Sequence, residues 1–237
     1  MVTLPGGEFT MGSPTDELYR GAETQHRVVI PPFAMSKFEI TFDQWEACVA
    51  DGGCGGFTPD DQGWGRGNMP VIGVSWDDAQ AYAAWLSKKT GKQYRLPSES
   101  EWEYAARAGG TAPFSFGDKI DSGTDANYDG STGYKGGPAG PNRQRTVPVG
   151  SFPANAFGLY DMHGNVWEWV EDCWSDEYTA ANPSDGKPFG GANCGGRVLR
   201  GGSWEDYAGD VRAAARVASS KEDATWSDGF RVARTAE

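Results

Sequence analysis

The sequence NAFGLYDMHGNVWEWV, which runs from Asn155 to Val170, sets two short apolar runs around a polar turn. The runs, at 157–160 and 166–170, are rich in aromatic and β-branched residues and are too short for ordinary helices. Glycine and asparagine, which turns favour, lie between them. This stretch therefore predicts two short strands joined by a tight loop.

The rest of the chain predicts a few short elements separated by loops. A polar capping residue opens each of three predicted helices, which cover residues 41–50, 75–91 and 98–109. The spacing of Trp102, Ala105 and Ala106 predicts that the third helix buries one face. Further short strands are predicted within 4–11, 28–38, 197–200 and 229–233. Residues 109–150 lack periodicity, and so long a loop must be held by packing, ions or function.

The composition narrows the class of protein. The chain has 237 residues with 34 glycines, 13% aromatic residues and a net charge of −12, which indicates one folded domain over residues 1–237 with a ring-rich core. The acidity argues against binding of nucleic acid, because phosphate binding needs clustered Lys and Arg.

The sequence also gives no sign of a membrane segment. The longest apolar run, 81–86, is too short to cross a bilayer, and we see no signal-peptide pattern before Pro5. We expect a monomer.

The four cysteines form two local couples, Cys48 with Cys54 and Cys173 with Cys194. Three pairings are possible in principle, and the turn formers after Cys48 make the first disulfide geometrically easy. Two disulfides would place the protein in an oxidising compartment, periplasmic or extracellular. The alternative is four buried thiols in a cytoplasmic protein. Only two histidines are present, and we expect His26 and His163 to be structural.

Six blocks of the sequence together resemble the formylglycine-generating enzyme family, the sulfatase-modifying factors. The blocks follow the family order over essentially the whole chain and lie at 5–13, 74–79, 95–103, 155–169, 200–204 and 229–231. The resemblance implies a C-type-lectin-like fold, which is an α+β, loop-rich architecture with about three short helices and short antiparallel strands.

One feature of the active family members is missing. The resemblance implies that oxidase members place a copper(I)-binding cysteine pair shortly after the block Gly201-Gly202-Ser203. Here residues 203–216 contain no cysteine, and the nearby Glu205, Asp206 and Asp210 are hard oxygen donors that do not suit copper(I). We therefore expect neither copper binding nor formylglycine generation.

The resemblance also implies structural calcium. The family's ligand pattern falls on the side chains of Asp161 and Glu168 and on the carbonyls of Gly164 and Val166. Hard oxygen ligands around a glycine-containing turn suit Ca²⁺. A second family site would involve Asn127, with no clear partners near Asn142. The alternative is that Asp161 caps the turn while Glu168 pairs with an arginine.

The segment after Ser203 corresponds to the stretch where relatives build their substrate groove. The residues that we expect to line a ligand groove here are Trp204, Glu205, Asp206, Tyr207, Asp210, Arg212, Arg216 and Trp226. Aromatic rings interspersed with charges are typical of binding hot spots. Some relatives are variable proteins of diversity-generating retroelements, which vary this stretch. The sequence thus predicts a domain that binds a protein, peptide or small-molecule ligand.

An enzyme of different chemistry is the alternative. Relatives without the cysteine pair include oxidases that mature siderophore peptides, so an oxidoreductase acting on a peptide or small molecule fits the resemblance. A hard-metal site from Glu205, Asp206, Asp210 and one histidine is conceivable, although carboxylates alone hold redox iron weakly. Paired carboxylates could also serve as acid and base.

Overall fold

A computed structural model describes residues 1–191 and 194–236 of the chain. The described residues form three α-helices: α1 (Phe42–Ala50), α2 (Trp76–Thr90) and α3 (Glu99–Arg107). Each begins where the sequence predicts, because the side chain of Thr41, Ser75 or Ser98 accepts a hydrogen bond from the third helical residue in a complete capping box.

Ten short strands complete the regular structure of the described residues: β1 (Val2–Leu4), β2 (Gly7–Met11), β3 (His26–Ile30), β4 (Phe33–Met35), β5 (Tyr94–Arg95), β6 (Trp167–Cys173), β7 (Arg197–Arg200), β8 (Arg216–Ser219), β9 (Asp228–Phe230) and β10 (Ala233–Thr235). They form two four-stranded sheets, β1-β4-β10-β5 and β8-β7-β6-β9, and the hairpin β2-β3. The loop-rich α+β architecture is confirmed.

Strand β6 is one of the two inner strands of the sheet β8-β7-β6-β9. It pairs with β7 in the antiparallel sense and with β9 in the parallel sense, so that Trp167, Glu168 and Trp169 lie opposite residues 228–230. Pairing of this kind brings the stretch around Glu168 beside the C-terminal Gly-Phe-Arg block. Two blocks that are some sixty residues apart in sequence thus share one buried layer.

One strand prediction is wrong, and some short strands were not predicted. Residues 157–160 form a turn and not a strand, since the side chain of Asn155 accepts hydrogen bonds from the backbone N–H groups of Phe157 and Leu159 and donates one to the carbonyl of Ala105. Strand β8, over residues 216–219, was not predicted, because its alternation of Arg, Val, Ala and Ser carries a weak apolar signal.

Large rings fill the core, as the composition predicts. Trp45, Trp102 and Trp169 are fully buried, Trp167 is almost so, and Trp76 is partly buried. A separate apolar cluster supports the long loop of residues 109–150, in which Phe114, Ile120, Ala126, Tyr128 and Tyr134 pack against Ala208 and Val211. Packing therefore holds that loop against the C-terminal segment.

None of the helices formed by the described residues could span a lipid bilayer, since each is too short or too polar.

Candidate functional site

A sharp turn after β7 presents the segment that the sequence marks as a ligand groove. Gly202 has a φ of +71°, and a Cβ at this position would lie 2.5 Å from Cγ1 of Val211, so only glycine fits. The carboxylate of Asp206 then accepts hydrogen bonds from both the backbone N–H and the hydroxyl of Ser203. Asp206 therefore fixes the turn and is not free to bind a ligand.

The long loop backs this turn. The backbone N–H of Asp129 donates to the carbonyl of Asp206 at 2.8 Å, and residues 129 and 207 form an isolated parallel bridge. Trp204 is half-buried and packs edge-on against Trp64, with ring centroids 5.2 Å apart. The backbone of residues 203–207 is thus rigid, while several of its side chains point outward.

Four predicted groove residues form one exposed surface. Trp226 and Tyr207 are each 53% exposed, and Glu205 and Asp210 are exposed as well. The indole N–H of Trp226 lies 3.5 Å from a carboxylate oxygen of Glu205, which joins the two segments. We call this surface, with Trp204 at its edge, the aromatic–acidic face.

Arg212 and Arg216 do not belong to this face, contrary to the prediction. The guanidinium of Arg212 is buried and pairs with Glu17 at 2.5 Å and Glu23 at 2.9 Å. That of Arg216 pairs with Glu99 at 2.7 Å and stacks on the rings of Trp174 and Tyr178. Both arginines are occupied with internal carboxylates, so they hold the scaffold.

A pocket of about 260 Å³ opens beside the aromatic–acidic face. Its walls include Tyr19, Tyr134, Tyr207 and Asp210. Tyr19 is 68% exposed and lies over Gly209, whose absent side chain leaves room for the ring. Burial raises the pKa of Asp210. Sequence reasoning missed Tyr19 and Tyr134. Nothing in the local sequence shows that the Arg212 ion pairs bring Tyr19 over the C-terminal segment, or that the long loop packs Tyr134 against Ala208 and Val211.

Both predicted disulfides are present. Cys48 is bonded to Cys54, and Cys173 is bonded to Cys194. Copper(I) prefers thiolate or thioether ligands, and these bonds occupy all four thiols of the chain. The hard-metal site is not formed either: among residues 1–191 and 194–236, no three His, Cys, Asp or Glu side chains converge closely enough to hold a metal together.

The expected calcium residues lie in a buried polar layer behind the turn. The two oxygens of Glu168 accept hydrogen bonds of 2.7 Å from Nη2 and Nε of Arg231, and the second also accepts one of 2.7 Å from Nε1 of Trp102. This geometry matches the alternative in which Glu168 pairs with an arginine. Glu168 is therefore a poor fit to a calcium ligand here.

Asp161 lies in the same layer but meets a different carboxylate. Its Oδ2 accepts a hydrogen bond of 2.6 Å from the backbone N–H of Gly150, and Glu39 lies within hydrogen-bonding reach. Burial, followed by the negative charge of Asp161, raises the pKa of Glu39. Asn165 links this pair to Asn127, donating to Glu39 and accepting from Asn127. Calcium binding by Asp161 and by the carbonyls of Gly164 and Val166 stays a prediction.

Both histidines make hydrogen bonds within the fold. His163 is buried between the carbonyl of Val211 and the backbone N–H of Ser115, and burial lowers its pKa to about 4. His26 donates a hydrogen bond from Nδ1 to the carbonyl of Thr24 and packs against Tyr178. Both are structural, as expected.

Comparison with known proteins gives consistent relatives. The formylglycine-generating enzyme of Streptomyces coelicolor is 32% identical, covering 100% of this chain and 89% of that protein. Among solved structures, PvdO from Pseudomonas aeruginosa has 39% identity and a TM-score of 0.85, covering 99% of this chain and 93% of that one. Treponema denticola variable protein 1 has 25% identity and a TM-score of 0.78, covering 100% of this chain and 95% of that one.

The match to a family model is equally broad. The model of the sulfatase-modifying factor enzyme 1-like domain matches residues 1–236. The order of the sequence blocks, the loop-rich fold and the relatives all indicate the same family. The chain belongs to the sulfatase-modifying factor family, which includes the formylglycine-generating enzymes.

Proposed function

We propose that this chain is a ligand-binding member of its family, and that a protein or peptide binds at the aromatic–acidic face. The observation that carries the proposal is the contrast between this face and its surroundings. Tyr207, Trp226, Glu205 and Asp210 are exposed, whereas the neighbouring charged residues are buried in internal ion pairs. Rigid aromatic rings with carboxylates at their margin supply contact area and polar specificity.

The lack of free thiols supports binding over thiol oxidation. The segment that follows Ser203 has no cysteine, and the four cysteines of the chain form disulfides elsewhere. Treponema denticola variable protein 1 has a similar fold, and variable proteins are the relatives from which the sequence predicts ligand binding. We further propose that the protein acts as a monomer in a periplasmic or extracellular setting, where disulfides persist.

Selection of displayed random peptides tests the proposal. The immobilised wild-type protein is the target of the selection, and the selected peptides are then tested for binding to the double variant Tyr207→Ala/Trp226→Ala. Both rings are half exposed, so their removal leaves the fold intact. We expect sequences enriched on the wild-type protein to be lost on the double variant and kept on Phe57→Ala, an exposed aromatic control elsewhere. Peptides that bind all three proteins equally would contradict the proposal.

An oxidoreductase acting on a peptide or small molecule is the second candidate. It is favoured by Asp210, whose carboxyl group lies in the wall of the pocket and could exchange protons with a bound substrate, since its partial burial there raises its pKa. Incubation of the protein with oxygen and a panel of peptides and small molecules, followed by mass spectrometry, tests this candidate. An oxidised product that is formed by the wild-type protein and lost with Asp210→Asn would support it and would contradict a function in binding alone.

A further inference from the structure

The pocket beside the aromatic–acidic face, which we call the tyrosine pocket, has a wall made largely of aromatic rings. The wall consists of Tyr19, Tyr134 and Tyr207, the small residues of segments 132–133 and 208–209, and Asp210. Tyr19 and Tyr207 are each more than half exposed, and the ring centroids of Tyr19 and Tyr134 are 6.0 Å apart. Three rings and one carboxylate thus surround a cavity of about 260 Å³.

The backbone holds Tyr19 in its place beside this pocket. Its φ of +62° is uncommon for a residue with a side chain, and Nη2 of the buried Arg212 donates a hydrogen bond of 2.7 Å to its carbonyl. The ring lies over Gly209, where a Cβ would come within 2.6 Å of Cγ of Tyr19. The position of the ring is therefore fixed by contacts within the protein and does not depend on a ligand.

The surroundings of the tyrosine pocket carry an excess of negative charge. The buried carboxylates of Glu17 and Glu23 share the single guanidinium of Arg212, so one negative charge remains there. Among the described residues, that same guanidinium is the cation that favours the ionised form of Asp210 and lowers its pKa against the effect of burial. Asp210 therefore adds a second negative charge, at the wall of the pocket, and a ligand of positive charge complements it.

Electron-rich ring faces beside a carboxylate suit organic cations. A cation within about 6 Å of the centre of a tyrosine ring is attracted by the ring quadrupole, and sites of this kind recognise methylated ammonium groups. The chain itself gives an example here, because Nζ of Lys135, which is not a wall residue, lies 5.5 Å from the ring centre of Tyr134. An organic cation is thus the ligand that matches both the rings and the charge.

The hydrogen-bonding needs of the cation narrow its class. A lysine ammonium group carries three N–H donors and an arginine guanidinium five, and each donor needs an acceptor once it loses water. The wall offers one carboxylate, that of Asp210, and is otherwise built of tyrosines and small residues. A quaternary ammonium group has no donors, so its charge and the contacts of its methyl groups with the rings are sufficient for binding.

We propose that the tyrosine pocket binds the quaternary ammonium group of a small molecule. The methyl groups contact the tyrosine rings, and the carboxylate of Asp210 balances the positive charge. This site goes beyond the proposed binding of a peptide and does not rest on it. Tyr19 lines the pocket and Trp226 does not, so choline binding that depends on Tyr19 and peptide binding that depends on Trp226 can fail independently.

NMR titration of the isotopically labelled protein with choline chloride, with NaCl as the blank, tests the proposal. We expect the backbone amide signal of Gly209 to shift and to saturate. The uncharged carbon isostere of choline, 3,3-dimethyl-1-butanol, should bind about tenfold more weakly or worse, because it has the same shape without the charge. Tyr19→Leu and Asp210→Asn should each weaken choline binding about threefold or more, whereas Phe57→Ala, an exposed ring outside the pocket wall, leaves it unchanged.

Three outcomes would overturn the proposal. If the Gly209 signal does not saturate with choline, the pocket is not a cation site. If the uncharged isostere binds as tightly as choline, the pocket recognises shape and not charge. If acetylated argininamide binds more tightly than choline, the pocket takes a cation with N–H donors. These comparisons all use the wild-type protein, so they decide the question even where a variant fails to fold.

Discussion

Buried arginines are the residues that most distinguish this core from an ordinary apolar one. Arg197, Arg200, Arg212 and Arg231 are among its largest fully buried side chains. Arg212 pairs with Glu17 and Glu23 and also donates to the carbonyl of Tyr19, so one guanidinium fastens an N-terminal loop to the C-terminal segment. These arginines contact residues that are far away in the sequence, so local sequence patterns do not reveal the contacts.

Removal of the Arg212 guanidinium is expected to destabilise the protein strongly. Arg212→Met leaves Glu17 and Glu23 buried without their cation, and a broken buried pair typically costs about 3–5 kcal/mol. Urea unfolding measures the loss. The control is Arg27→Met, whose exposed partner is Glu8 and whose contribution is under about 1 kcal/mol. Similar losses in both variants would show that the Arg212 pairs do not hold the loop.

Asp228 gives a pH-dependent prediction at the same scale. Burial raises its pKa to about 6, although its carboxylate caps the backbone N–H of Thr225. Because the folded state binds this proton more tightly than the unfolded state, the associated stability is full below pH 4 and is lost as the pH rises to 6.

The test compares the wild-type protein with Asp228→Asn, which has no proton to lose. Relative to this variant, the free energy of unfolding of the wild-type protein should fall by up to about 3 kcal/mol between pH 4 and pH 6. Denaturant unfolding at several pH values measures the difference. A difference that stays constant over this range would contradict the raised pKa.

At the scale of secondary-structure elements, the sequence predicts where helices begin better than it predicts which strands pair. The helices begin at their predicted caps because capping is a contact between residues three apart. The aromatic residues of 157–160 predict a strand, but the side chain of Asn155 accepts hydrogen bonds from the backbone of Phe157 and Leu159 and forms a turn instead. Strand β8 escaped prediction because it is defined by pairing with β7, a contact invisible in the local pattern.

The caps of α1 and α3 allow a matched test of buried against exposed capping. Ser98 accepts from the N–H of Glu101 and also donates to the carbonyl of Gly186, in a buried setting. Thr41 makes only the local bond to Gln44 in an exposed setting. We expect Ser98→Ala to cost about 2 kcal/mol and Thr41→Ala about 1 kcal/mol in urea unfolding. The reverse order would show that the Gly186 contact adds nothing.

At the scale of the whole molecule, two disulfides brace a fold that is poor in regular structure. The Cys173–Cys194 bond joins residues 21 apart and the Cys48–Cys54 bond joins residues 6 apart. Chain entropy therefore predicts that replacing Cys173 and Cys194 with serines lowers the free energy of unfolding by about 3 kcal/mol. Replacing Cys48 and Cys54 should lower it by about 2 kcal/mol. Denaturant unfolding measures both. Equal stability of the wild-type and both paired variants would contradict a bracing role.

The ligand face shows how far sequence reasoning reaches at this scale. Trp204, Glu205, Tyr207, Asp210 and Trp226 were identified from the family pattern and lie on or at the edge of one surface. The same pattern could not separate them from the two buried arginines, since a charged residue has the same letter whether it faces solvent or an internal carboxylate. Tyr19 joins the face only through long-range ion pairs.

Calorimetric titration of the tightest selected peptide into the wild-type protein and its variants tests the central claim most directly. The claim is that a family member without the catalytic cysteine pair binds its partner through the aromatic–acidic face. We predict that Tyr207→Ala and Trp226→Ala each weaken binding about tenfold or more, as at hot spots, while Phe57→Ala leaves it unchanged. Equal affinities of all four proteins would contradict the claim.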